Sequence, residues 1–222
     1  MAEKVVIIDF DFAVMDGATL LYDTTRKFLK KLDNLKLDEA LEARCFAGNA
    51  IQKGLENFFA IQKTKKTAVK AARDLSAAFI EALNREVPNA ISIGFKNFIK
   101  AMLEKDVAVM IRTRADLEAV EAAFKPLLND QVVLSHEDFD VYGAVKWESW
   151  CRSYMAMGMT RSTALAITGS GFGVKSAMLV GVTSVAVVSD HVAYQDFGGA
   201  SEVVNEISGK TAKNVFRALH ID

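Results

Sequence analysis

The chain has 222 residues, 51% of them hydrophobic and 25% charged, enough for one sizeable core or for a core domain with a smaller appendage. Its 27 Lys and Arg against 28 Asp and Glu leave a formal charge of -1, which speaks against binding nucleic acid through bulk positive charge. Two cysteines, Cys45 and Cys151, lie far apart without metal-ligand spacing, so the sequence supports neither a disulfide framework nor a zinc site and fits a reducing compartment.

No charged-then-apolar leader opens the sequence, and no apolar run is long enough to span a bilayer, so the expected location is the cytoplasm with no membrane partner. Val5-Val6-Ile7-Ile8 reads as a strand buried on both faces, the kind found in parallel sheets. It runs into Asp9-Phe10-Asp11. Side chains two residues apart leave an extended backbone on the same side, so the two carboxylates converge just beyond the strand. Open α/β sheets bind ligands at that end, and paired carboxylates there call for a cation, a shared proton or a chemical task.

Residues 18–32 then show helical spacing, with Leu20, Leu21, Phe28, Leu29 and Leu32 apolar. Helices over 37–46, 49–59 and 64–83 follow, with breaks at Gly48 and at residues 62–66. The block closes at Val87-Pro88-Asn89, where Pro88 disfavours a helical Val87. Residues 18–86 carry 13 Lys and Arg against 9 Asp and Glu, ordinarily a solvated helical surface, the alternative being a patch that steers an anionic substrate.

From Ile93 onward helix and strand alternate: helix over 94–104, strand 107–111, helix 116–128, strand 131–134, helix 147–157, strand 164–168, short helix 174–180, strand 183–188, and a final helical region over 200–219 interrupted at Gly209. Such alternation implies right-handed crossovers. The expected architecture is α/β: a Rossmann-like, parallel five-stranded sheet with helices on both faces, formed by residues 1–17 and 88–222, with an α-helical cap of residues 18–87 inserted after the first strand.

This order of an acidic strand end, a helical insertion and the rest of an α/β core resembles the haloacid dehalogenase superfamily, in particular helical-cap members such as phosphoglycolate phosphatase and β-phosphoglucomutase. The opening motif stands here as Asp9-Phe10-Asp11-Phe12-Ala13-Val14-Met15-Asp16-Gly17, with Phe12 and Ala13 in place of the common Gly and Thr. The resemblance implies a phosphatase acting on a small phosphorylated metabolite, with Asp9 as the nucleophile that forms an aspartyl-phosphate and Asp11 as the acid/base. The second motif is a Ser or Thr after the second strand. Strict counting puts Arg112 there and Thr113 one later, and Thr113 is taken, with Arg112 or Arg114 able to hold an anion bidentately if it points into the cleft. Lys146 is the candidate for the charge-neutralising lysine, without the usual following Pro.

The fourth motif departs from the pattern. Where the family carries one or two metal-binding acids, this chain has Thr168-Gly169, and the Mg²⁺ that the resemblance implies loses a ligand. Asp9 and the Asp11 backbone carbonyl would remain as ligands, and Asp190 after the adjacent strand is a conceivable substitute. The turn Gly169-Ser170-Gly171-Phe172-Gly173 also exposes backbone N–H groups suited to an anion, which makes Ser170 a candidate phosphate contact. The alternative to the hydrolase is therefore a catalytically impaired binding or regulatory protein on the same scaffold.

Overall fold

In a computed structural model of the chain, which describes residues 2–139, 141–143 and 145–221, runs of Val, Ile and Ala become a parallel sheet. The elements are β1 (Lys4–Asp9), α1 (Phe10–Ala13), α2 (Gly17–Asp33), α3 (Glu39–Cys45), α4 (Ile51–Ile61), α5 (Ala68–Ala90), α6 (Ile93–Glu104), β2 (Val107–Thr113), α7 (Leu117–Phe124), β3 (Val132–His136), α8 (Trp147–Ala156), β4 (Ala164–Thr168), α9 (Gly171–Leu179), β5 (Thr183–Val187), β6 (Glu202–Val204) and α10 (Gly209–Ala218). The strand order is β3-β2-β1-β4-β5-β6, all neighbours parallel, with β1 at the centre.

The sheet thus has six strands and not the expected five. Residues 202–204 were expected in the terminal helix, yet they pair with β5 in the register Val185 to Glu202 through Val187 to Val204. Three residues are too few to show a period of two, and Gly199, at φ 100°, turns the chain onto the sheet edge immediately before them. A second correction falls at Pro88, which lies inside α5 and does not end it. A proline in the last turn removes a single backbone donor, and the helix stops two residues later.

Alternation along the strands sorts the core into two layers. Val6, Ile8, Val109, Ile111, Leu165, Ile167 and Val185 face one side, where α5, α6, α10 and the cap helices pack. Val5, Ile7, Ala108, Met110, Ala164 and Ala166 face the other, where Trp150 of α8 and Ala177 of α9 fill the space the alanines leave. Val5 to Ile8 have no exposed surface. Burial at about 1.5–3 kcal/mol per large aliphatic side chain makes β1 the anchor of both layers.

That anchoring positions the end of the strand. The register pairs Asp9 with Arg112 of β2, and Thr168 follows one residue beyond the Ile8–Ile167 pair with β4. Among the described residues, no helix is long and apolar enough to cross a membrane.

Candidate functional site

After Asp9 the chain tightens into the single turn α1, which swings the Asp11 carboxylate towards the carboxyl end of β2. Gly17 permits this, because a Cβ there would stand 2.5 Å from the Asp11 carbonyl oxygen. The Thr113 hydroxyl donates to Asp11 Oδ1 at 2.6 Å, and the Arg114 backbone N–H donates to Oδ2 at 2.7 Å. The Arg114 side chain folds back over the same turn, and its Nη1 donates to Asp9 Oδ1 at 2.7 Å and to Asp11 Oδ2 at 3.0 Å.

One guanidinium nitrogen therefore serves both carboxylates. The three residues are at most 1% exposed, so the pair is a dry ionic cluster. Burial raises the Asp11 pKa above 3.8, against the opposing pull of Arg114. For Arg114, burial disfavours the cation, but Asp9 and Asp11 outweigh it and hold the proton more tightly than usual. Asp9 Oδ2 has no hydrogen-bond partner among the described residues.

A second buried pair flanks the first. Arg112 meets Glu137, lies 5.7 Å from the Trp150 ring, and has its Nε and Nη1 without hydrogen-bond partners among the described residues. Ser149 donates to Glu137 Oε1 at 2.6 Å. Burial, then the neighbouring Arg114 charge, lowers the Arg112 pKa to about 10.

Of the remaining expected site residues, Thr113 belongs to the cluster and Lys146, Ser170 and Asp190 stand outside it. Thr113 reaches Asp11, and its oxygen also accepts the Ala115 N–H at 3.0 Å, so its hydroxyl is already engaged. Lys146 is exposed at the N-cap of α8, outside the buried cluster. Ser170 is buried but caps α9 by accepting from the Gly173 N–H at 3.0 Å, while the Gly171 N–H goes to Gln195 Oε1 at 2.8 Å. The anion site expected at that turn is thus filled by the protein's own oxygens. Asp190 is exposed at the start of a short 3-10 turn, and it is its neighbour His191 that points inward.

Gly169 explains the altered fourth motif. A Cβ at this position would fall on the Phe12 carbonyl oxygen, because the loop after β4 touches the turn after β1 backbone to backbone. No acidic side chain fits there. Thr168 is fully buried, its hydroxyl without a hydrogen-bond partner among the described residues.

The helical insertion closes over the cluster. Arg114 sits 4.9 Å from the Phe12 ring, Phe12 packs on Phe79 of α5, and Phe79 packs on Phe139 at 4.6 Å. Beside this lid, a second contact ties insertion to core. Tyr142 exchanges backbone hydrogen bonds with Gly48 and Asn49, and its hydroxyl donates to Glu42 Oε1 at 2.8 Å. Glu42 Oε2 lies 2.9 Å from His191 Nε2. Burial raises the Glu42 pKa, opposed by His191, and raises that of Tyr142 well above the usual value. A cavity of about 330 Å³ on the other side of Phe12 is lined by Asp16, Asn89, Ser92, Ser189, Asn205 and Glu206 among others.

Several of these residues had no signal in the sequence. Arg114 had one, its place at the carboxyl end of a strand beside the aspartates, where Arg112 seemed the equal candidate. Glu42, Glu137, Tyr142 and His191 come from four distant segments and meet only through the fold.

No family model and no curated protein sequence matches the chain. Solved structures match along its whole length. A haloacid dehalogenase hydrolase of family IA, variant 3, from Entamoeba histolytica superposes with a TM-score of 0.73 at 12% identity, covering 98% of this chain and 99% of its own. The chain has the capped haloacid dehalogenase-like fold. β-Phosphoglucomutase from Clostridium difficile matches with a TM-score of 0.68 at 15% identity over 99% of this chain and 98% of its own. CbbY from Rhodobacter sphaeroides, solved in complex with phosphate, matches at 0.67 and 15% identity over 93% and 95% of the two chains.

The residues present do not fit the Mg²⁺ that this fold family implies. A hard cation of that size asks for a near-octahedral set of oxygens. Here the Asp9 and Asp11 carboxylates are engaged by Arg114, and the place of the third acid holds Thr168-Gly169. Among the described residues, no three His, Cys, Asp or Glu side chains cluster to hold a metal ion.

Proposed function

We propose that the chain is a haloacid dehalogenase-like hydrolase acting on a small phosphorylated metabolite, with Asp9 as nucleophile and Asp11 as acid/base. The observation that carries this reading is the convergence of the two aspartates at the end of the central strand, with Asp9 Oδ1 held by Arg114 and Oδ2 left unengaged among the described residues. Oδ2 attacks phosphorus and the bond to the leaving oxygen breaks, giving an aspartyl-phosphate. Asp11, whose burial favours the protonated form, gives its proton to that oxygen. Asp11 then takes a proton from water, which attacks the aspartyl-phosphate, releasing inorganic phosphate and restoring Asp9. The Arg112 N–H groups without partners are suited to the phosphoryl oxygens, and Thr113 orients Asp11.

Access requires movement. The cap of residues 18–87 opens from the core of residues 1–17 and 88–222 at the Phe12–Phe79–Phe139 lid, since the aspartates are otherwise closed off from solvent. Turnover of a generic phosphomonoester by the purified protein, beside Asp9→Asn, tests the reading. Release of phosphate by the wild type and its loss in the variant is expected; equal background rates in both would sink it.

The closed cluster favours a second reading, a binding or regulatory protein on the same scaffold, because Arg114 already holds one oxygen of each carboxylate. Stabilisation by a phosphorylated ligand without turnover would select it.

A further inference from the structure

We propose that the Arg114 guanidinium is the resident counter-cation of Asp9 and Asp11, standing in for a divalent metal, so that the site works without Mg²⁺. The inference rests on Asp9 and Asp11 being the working groups of the site, but it is tested by cation binding and not by turnover.

The geometry carries it. Nη1 is bound to an oxygen of each aspartate, so a metal bridging Asp9 Oδ1 and Asp11 Oδ2 would compete for the same lone pairs. The position is fixed from two directions, because Arg114 grips Asp11 Oδ2 through its backbone N–H at 2.7 Å as well as through its side chain. The Phe12 ring lies 4.9 Å from the guanidinium and favours a cation there. A guanidinium suits this dry site better than an ammonium, being more weakly hydrated and permanently charged.

The charges also compensate. The Arg114 guanidinium brings one positive charge to the Asp9 carboxylate, the charge that a bound cation would otherwise supply. Here Gly169 cannot carry an acid because a side chain would strike the Phe12 carbonyl, Thr168 beside it is neutral, and Arg114 holds both aspartates.

Titration calorimetry with Mg²⁺ and with Mn²⁺, and thermal unfolding with and without each ion, test the proposal on wild type, Arg114→Ser and Arg114→Ser/Asp9→Asn. Wild type is expected to show no binding heat and no shift in Tm. Arg114→Ser removes the guanidinium from both carboxylates, leaving the Thr113 hydroxyl and the backbone N–H of residue 114 on Asp11, and gains a cation site at Asp9, with Tm rising about 5–10 °C at about a hundredfold excess over its Kd, a rise that Asp9→Asn removes. A wild-type Tm shift with Mg²⁺ that Asp9→Asn abolishes overturns the proposal, as does a folded Arg114→Ser that binds neither ion. Should Arg114→Ser fail to fold, the wild-type titration beside Asp9→Asn still decides. Absence of phosphomonoester turnover would remove the hydrolase reading and leave these outcomes unchanged.

Discussion

Replacing Arg114 by Met keeps most of the side-chain volume and deletes only the charge and its hydrogen bonds. Five ionisable side chains are buried at this end of the sheet, namely Asp9, Asp11 and Glu137 against Arg112 and Arg114. Removing one of the two cations leaves Asp9 and Asp11 at most 1% exposed with no guanidinium between them. Breaking a buried pair in this way costs about 3–5 kcal/mol, because the desolvated partner is left uncompensated. For a chain of this length that corresponds to a fall in Tm of roughly 6–20 °C. Urea unfolding followed by circular dichroism at neutral pH measures the loss, and the buried Trp150 gives an independent fluorescence signal. The triple variant Asp9→Asn/Asp11→Asn/Arg114→Met, in which the charges disappear together, is expected to recover most of the stability. A loss below about 1 kcal/mol in the single variant, or a triple variant no more stable than the single one, would refute the electrostatic account.

Two further outcomes follow from the contacts around the site. Gly169→Ala drives a Cβ onto the Phe12 carbonyl, backbone against backbone with no flexible side chain to yield, and is expected to lower stability by at least ~1–3 kcal/mol in the same urea assay. Burial raises the folded-state pKa of Glu42 above its ordinary 4.5, so the folded protein holds a proton there that the unfolded chain releases. Its contribution to stability therefore declines as pH rises from about 4.5 through the folded-state value. Glu42→Gln should lose that dependence, and identical pH profiles for the two proteins would contradict it.

Sequence patterning marked the α/β class of this fold and the strand end that carries its candidate site. The apolar run of β1 reads as a strand buried on both faces, its acidic end sets two carboxylates where parallel sheets bind ligands, and the helical spacing of residues 18–83 marks an insertion. These are local properties, set by periodicity and by which side chains water will tolerate. The short strand β6 escaped because its pairing with β5, and not any period within three residues, makes it a strand. The state of the carboxylates was decided by tertiary structure. Thr113 and Arg114 are neighbours in sequence, and nothing in that order says which side chain will turn towards Asp11 and which will bridge to Asp9. The choice depends on the register that sets Asp9 beside Arg112, on the turn of α1 that brings Asp11 round, and on the backbone contact at Gly169 that excludes a third acid. Each is a long-range distance of a few ångströms, and at that range an arginine and a metal ion compete for the same oxygens.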